Sequence, residues 1–189
     1  MGAFGAFGRA LSAVRTNMSR TKRQAYLQKL KDRGLRIADD VTIEDGFFLD
    51  PSHCYLIEIQ GRCILGPNVR LIAHDASTKH ILNATRLGKI LIEEGCFIGD
   101  SAIVLPGVTI GKGSIIGAGS IVTRSIPPDS VAVGSPARVI CPVSEYRDRQ
   151  AAILKSGRYF GPEYGLESAT RAHVAEIAEA AKLGPIFIA

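Results

Sequence analysis

The sequence predicts a mainly β chain built as a prism of stacked coils, a parallel β-helix, on three observations. Ile92, Ile98, Val104, Ile110, Ile116 and Val122 fall at an unbroken spacing of six. A small residue follows each of the first five by four positions: Cys96, Ala102, Val108, Ser114 and Ser120. The chain also holds 20 glycines, more than average usage, as many tight corners would require. A period of six suits neither an amphipathic helix, near 3.6, nor a half-buried strand, near 2. It suits coils of three short strands, each giving one aliphatic side chain to the interior, and hexapeptide repeats point to a parallel β-helix. Position 92 then lies under 110, 98 under 116 and 104 under 122, and the glycines at 99, 107, 111, 117 and 119 suit corners. An ordinary β-sandwich is the plainer alternative, and six registers in phase argue against it.

The N-terminal segment, residues 1–36, is read as basic and helical. It holds nine Lys or Arg and a single acid, Asp32, although the whole 189-residue chain carries a net charge of only +5. Phe4, Phe7, Leu11, Val14 and Met18 form one apolar stripe at helical spacing. The apolar run before Arg9 is too short for a signal core or a membrane span. A solvated helical face is the ordinary explanation of the charge, with weak contact to an anionic membrane surface as the other. No nucleic-acid partner is expected. A second helix is predicted from about Thr21 to Arg33, ending at Gly34.

The β-helix is predicted over 37–141. It opens with coils at Ile37, slips where Leu49 to Ile59 takes ten residues rather than twelve, and resumes as IQGRCI, LGPNVR and Leu71. From Leu71 the period then lapses for 21 residues, and residues 73–91 read as an extruded loop holding His74 and His80. Loops on a rigid scaffold are where chemistry tends to sit. Four cysteines (54, 63, 96, 141) form no C-x-x-C pair, so neither a zinc site nor a redox motif is signalled, and a reducing cytoplasm is the expected setting. A C-terminal segment, 142–189, completes the chain, with helices predicted over 144–156 and 165–182. His173 on the second of these has no evident partner in the sequence.

The runs LGPNVRLIAHDAS and IGDSAIVLPGVTIGKGSIIGAGSIVTRSIPPDSVAVGSPARVI make a more specific statement. The chain resembles the hexapeptide-repeat acyltransferases, in the branch of maltose and galactoside acetyltransferases and the sugar O-acetyltransferases of polysaccharide clusters. The resemblance covers about residues 37–140. It implies a left-handed coil, which runs against the usual crossover hand. It also implies a homotrimer with sites between subunits, acetyl-CoA as co-substrate, no metal, and a saccharide acceptor. His74 matches the family's catalytic base. The chemistry is reasonable on its own terms, because imidazole, with a pKa ordinarily near 6.5, can take the proton from a sugar hydroxyl at neutral pH.

The remaining site residues are assigned by position. Asp50 and His53, in LDPSHC, fall near where the family grips its acceptor, although Asp50-Pro51-Ser52 also reads as a turn. The amides of Asp100 and Ala118, one coil apart, are expected to meet the pantetheine arm. Thr123 and Arg124 match a Thr-Lys beside the nucleotide, and Arg138 matches a phosphate-binding arginine. Cys141 stands where galactoside acetyltransferase has a second arginine. Asp75 either orients His74 or caps the loop, with capping the better fit. An N-acyltransferase on an amino sugar and a non-catalytic scaffold are the alternative readings. A zinc carbonic anhydrase of the same shape would need three histidines, and only His74 and His80 lie near one another in the sequence.

Overall fold

The computed structural model describes residues 22–155, 159–165 and 168–189. The apolar stripe from Phe4 to Met18 lies outside the described residues. The chain divides into two compact units, Met1–Ile140 and Cys141–Ala189.

In the first unit, three parallel walls are built from strands of two or three residues. One wall stacks Arg36–Ile37, Ile57–Ile59, Ile90–Ile92 and Thr109–Ile110. The second stacks Thr42–Ile43, Ile64–Leu65, Phe97–Ile98 and Ile115–Ile116, then Ser130–Gly134. The third stacks Phe48–Leu49, Arg70–Leu71, Ile103–Val104 and Ile121–Val122. The registers measure the coils. Arg36 pairs with Glu58, Glu58 with Leu91 and Leu91 with Thr109, so successive turns take 22, 33 and 18 residues. Two coils therefore carry insertions, and the last is bare.

The inward positions are those of the six-residue period. Leu49, Leu65, Leu71, Ile92, Ile98, Val104, Ile110, Ile116 and Val122 have no exposed surface. The small residues four places on (Cys96, Ala102, Val108, Ser114, Ser120) are also buried, because each turns inward beside a corner where little room remains. Corner glycines answer two different needs. At Gly119 φ is +67°, a left-handed conformation that side chains disfavour. At Gly99 the backbone of the next coil comes so close that a Cβ would lie 2.5 Å from the Ala118 nitrogen.

A helix over residues 22–32 precedes the first coil, and Leu30 joins the core. Among the described residues no helix is long and apolar enough to cross a membrane. In the second unit, helices span Val143–Leu154 and Arg171–Ala181, and Tyr159–Phe160 pairs in parallel with Phe187–Ile188. The last helix starts at 171 rather than 165. Thr170 Oγ1 accepts from the His173 amide at 3.2 Å while His173 Nδ1 lies 3.4 Å from the Thr170 amide, a reciprocal cap. His173 thus has a partner that its spacing did not reveal.

Candidate active site

The two insertions leave the prism at the same corner of consecutive coils. Leu49 pairs with Leu71 at the end of the third wall, and the Asp50 amide donates to the Leu71 carbonyl at 3.0 Å. The insertion after Leu49 is therefore stacked against the insertion after Leu71. The first is a turn, Asp50-Pro51-Ser52-His53, leading into a 3₁₀ turn at Cys54–Leu56. Asp50 Oδ1 accepts from the amides of Ser52 at 3.2 Å and His53 at 3.3 Å, a side-chain turn of the kind Asp favours. The second is a hairpin, His74–Asp75 pairing antiparallel with Arg86–Leu87, and it carries a short helix at Lys79–Leu82.

His74 is thereby set on Asp50. Its Nδ1 lies 2.5 Å from Asp50 Oδ2, which also accepts from the Ala73 amide at 2.9 Å. Asp50 is wholly buried and the His74 side chain is about one third exposed, at 32%. Burial pushes the Asp50 pKa up, but the hydrogen bond from His74, the Ala73 amide, the charge of His74 and the His53 amide together hold it below its ordinary value. Asp50 is accordingly a carboxylate, which only accepts hydrogen bonds. The proton of a neutral His74 must then sit on Nδ1, and Nε2 keeps a free lone pair. That is a base presented by a buried acid.

This placement changes the expected role of Asp50. A carboxylate with no exposed surface, its Oδ2 already held by His74 and Ala73, is closed to a sugar hydroxyl. Its turn role and its hold on His74 are what the geometry displays. Asp75 faces elsewhere: Oδ1 accepts from the Ser77 amide at 3.0 Å and the Ser77 hydroxyl at 2.6 Å, which closes the loop. Hydrogen bonds from Ser77 hold the Asp75 pKa below its ordinary value.

His53 is the second imidazole at the corner. Its ring centroid lies 5.1 Å from that of His74, and its Nδ1 lies 3.8 Å from Asp50 Oδ1. That Nδ1 is buried without a hydrogen-bond partner. His80, the histidine nearest to His74 in the sequence, is exposed on the short helix. Asp50, His53 and His74 each offer a ligand atom within 4.8 Å of the others. The signal that could have found this trio is the registration of the two insertions, since Asp50 and His53 flank one corner and His74 the next.

The residues expected to hold coenzyme A fall on different corners. Asp100 and Ala118 share the corner between the second and third walls, where the Gly119 amide donates to the Asp100 carbonyl at 2.7 Å. The Asp100 carboxylate is exposed and accepts from Ser101 Oγ at 2.8 Å and from Asn68 Nδ2 at 3.4 Å. Thr123 and Arg124 come just after the third wall and are exposed at the corner column that His74 also leaves, since Leu71, Val104 and Val122 are stacked partners. Arg138 is exposed, its guanidinium donating to the Ala137 carbonyl. Cys141 is buried and receives a contact from Arg149 at 3.1 Å.

Residues 89–124 match the bacterial transferase hexapeptide, in six repeats. This stretch is a bacterial-transferase hexapeptide array. A galactoside O-acetyltransferase of Escherichia coli is 37% identical over 119 residues, covering 60% of this chain and 53% of that protein. A Schizosaccharomyces pombe protein, an acetyltransferase by name alone, is 47% identical over 96 residues, covering 49% of this chain and 45% of its own length. The chain thus spans about half the length of these curated relatives. A hexapeptide-repeat-containing acetyltransferase from Vibrio cholerae superposes with a TM-score of 0.50 at 18% identity, over 71% of this chain and 93% of that one. At that identity the likeness speaks for the fold. The hexapeptide array supplies the bare coils, and the catalytic candidates stand at its N-terminal edge.

Proposed function

We propose that the protein is an acetyl-CoA-dependent O-acetyltransferase acting on a saccharide hydroxyl, with His74 as general base and Asp50 as its positioning residue. The observation that carries this reading is the hydrogen bond between His74 Nδ1 and the buried Asp50 carboxylate. It leaves Nε2 free to take a proton. In the proposed step Nε2 removes the acceptor hydroxyl proton as that oxygen attacks the thioester carbonyl. The tetrahedral intermediate collapses, the C–S bond breaks, and the imidazolium returns its proton to the departing sulfur, giving an acetyl ester and free coenzyme A. Asp50 stabilises the transient imidazolium, and direct attack in a ternary complex needs no acyl-enzyme.

The same reading makes the coil left-handed and the assembly a cytoplasmic homotrimer. The pantetheine arm would run in a groove between two prisms along the amides of Asp100 and Ala118, with Thr123, Arg124 and Arg138 nearer the nucleotide. His53, a quarter exposed at 25%, is the side chain left to meet the acceptor. The kinship with a galactoside O-acetyltransferase supports a sugar as the acceptor class.

Free-thiol release from acetyl-CoA tests the proposal against a panel of sugars, amino sugars and nucleotide sugars, with His74→Ala beside wild type. Acceptor-dependent release that collapses in the variant supports it. Ester formation at a hydroxyl, rather than an amide at an amino group, separates O-transfer from N-transfer. No release with any acceptor, together with no binding of coenzyme A by calorimetry, overturns it.

A further inference from the structure

We infer that the corner formed by Asp50, His53 and His74 is also a binding site for a single zinc-like divalent cation, whose occupancy blocks the base. The inhibitory half of this inference rests on His74 being the base, as proposed above; the binding half does not.

Three observations point to a cation. The ligand set is two imidazoles and a carboxylate, with one ligand atom from each within 4.8 Å of the others. Two histidines and a carboxylate are a sufficient protein set for zinc, with a fourth position left open. His53 Nδ1 is buried and unpartnered, although it faces Asp50 Oδ1 at only 3.8 Å. A buried nitrogen without a partner is destabilising, and a cation between it and the carboxylate would relieve that. The third observation is the asymmetry of Asp50. Oδ2 is held tightly, by His74 at 2.5 Å and Ala73 at 2.9 Å. Oδ1 has only the long contacts from Ser52 at 3.2 Å and His53 at 3.3 Å, so it is the oxygen with capacity for a metal.

Zinc holds nitrogen and oxygen ligands at about 2.0–2.2 Å, so the trio must draw together by about 1 Å to share one ion. The side chains of His53 and His74 are partly exposed, at 25% and 32%, and have room to turn. Once His74 coordinates the ion, the Asp50–His74 hydrogen bond and the free lone pair cannot both persist. The metal-bound and base-competent arrangements therefore exclude one another. Oxygen-preferring cations such as magnesium have little use for imidazole, so the site discriminates in favour of zinc, cobalt and nickel.

The test uses the full chain and zinc chloride in isothermal calorimetry, with wild type, His53→Gln and Asp50→Asn, each checked for folding by circular dichroism. One ion per chain is expected for wild type, with affinity reduced by about a hundredfold in His53→Gln. Cobalt(II) is expected to give visible d–d bands without a thiolate charge-transfer band, which separates this site from the buried cysteines. A transfer assay then reads inhibition by zinc, with a midpoint that tracks the calorimetric affinity in wild type. No binding to wild type, equal binding by folded His53→Gln, or a thiolate band overturns the site. Binding without inhibition of an active enzyme overturns the blocking role. If no acceptor supports transfer, the calorimetry and the cobalt spectrum still decide the site, while the transferase proposal fails separately.

Discussion

The bare coils from Ile92 to Val122 and the corner at Asp50 and His74 are built from the same backbone ladder but obey opposite rules. In the bare coils every inward side chain is apolar or small, adjacent turns repeat in 18 residues, and nothing titratable is buried in the prism apart from Cys96. At the corner, four and fifteen extra residues per turn leave the prism, and a carboxylate is fully buried with four donors around it. The difference is a division of labour. The repeat fixes where corners lie, and the insertions use two stacked corners to bring an acid and an imidazole together. Rigidity comes from one region and chemistry from the other.

The largest loss of activity is expected at His74. Replacing it by Ala should lower kcat/KM for acetyl transfer by about 10²–10⁴-fold, the usual worth of a general base, and should also lower the thermal midpoint, because the buried Asp50 carboxylate loses its donor at Oδ2. Steady-state thiol release and calorimetry on the same preparation would check both halves. Asp50→Asn should affect both regions' properties at once. Transfer should fall because Asn presents an amide as readily as a carbonyl to Nδ1 and stabilises no imidazolium, and stability should fall as well.

The stability that Asp50 contributes has a definite pH signature. Its folded pKa is depressed below the ordinary value of 3.8, so the group stabilises the fold fully above that value. The contribution is lost as pH falls from there through the lower folded pKa. Denaturant titrations should therefore show a constant gap between wild type and Asp50→Asn near neutrality, closing only in acid. A gap that widened in acid would mean that the carboxylate is not held by favourable contacts.

The bare coils should respond in stability alone. Ile110, without exposed surface, should cost about 2–5 kcal/mol when cut to Ala, through lost burial and a cavity. Its kcat/KM per folded molecule should stay at the wild-type value. Asp75→Ala should have the smallest effect, a barely shifted midpoint in chemical denaturation, since the residue closes a surface turn with Ser77 and makes one long ion pair with Arg86.

Much of the prism was legible in the sequence because a six-residue period leaves little freedom. The inward residues, the slip after Leu49, the extruded segment around His74 and the stacking of Asp100 beneath Ala118 all come from counting. The corner chemistry was only half legible. His74 announces itself by its motif, but its partner does not, because Asp50 lies 24 residues away and meets it only through the pairing of Leu49 with Leu71. Asp75, the adjacent acid, was read mainly as a loop cap, and it does turn toward Ser77. The pairing of His53 with His74, rather than His80 with His74, was hidden for the same reason. The start of the last helix was missed on a local signal, a Thr170 cap that reaches His173 rather than the more familiar Glu or Gln.

Everything proposed for the corner depends on Asp50 holding His74 with its proton on Nδ1 and Nε2 bare. The most direct measurement is a long-range nitrogen–proton correlation spectrum of protein labelled with nitrogen-15 at histidine, at neutral pH, with His74 assigned from the His74→Ala spectrum. The Nδ1–H tautomer is expected for His74, with Nε2 showing the shift of an unprotonated nitrogen. A neutral His74 carrying its proton on Nε2 would contradict it, because the buried acid would then be holding the imidazole in a form that cannot serve as the base.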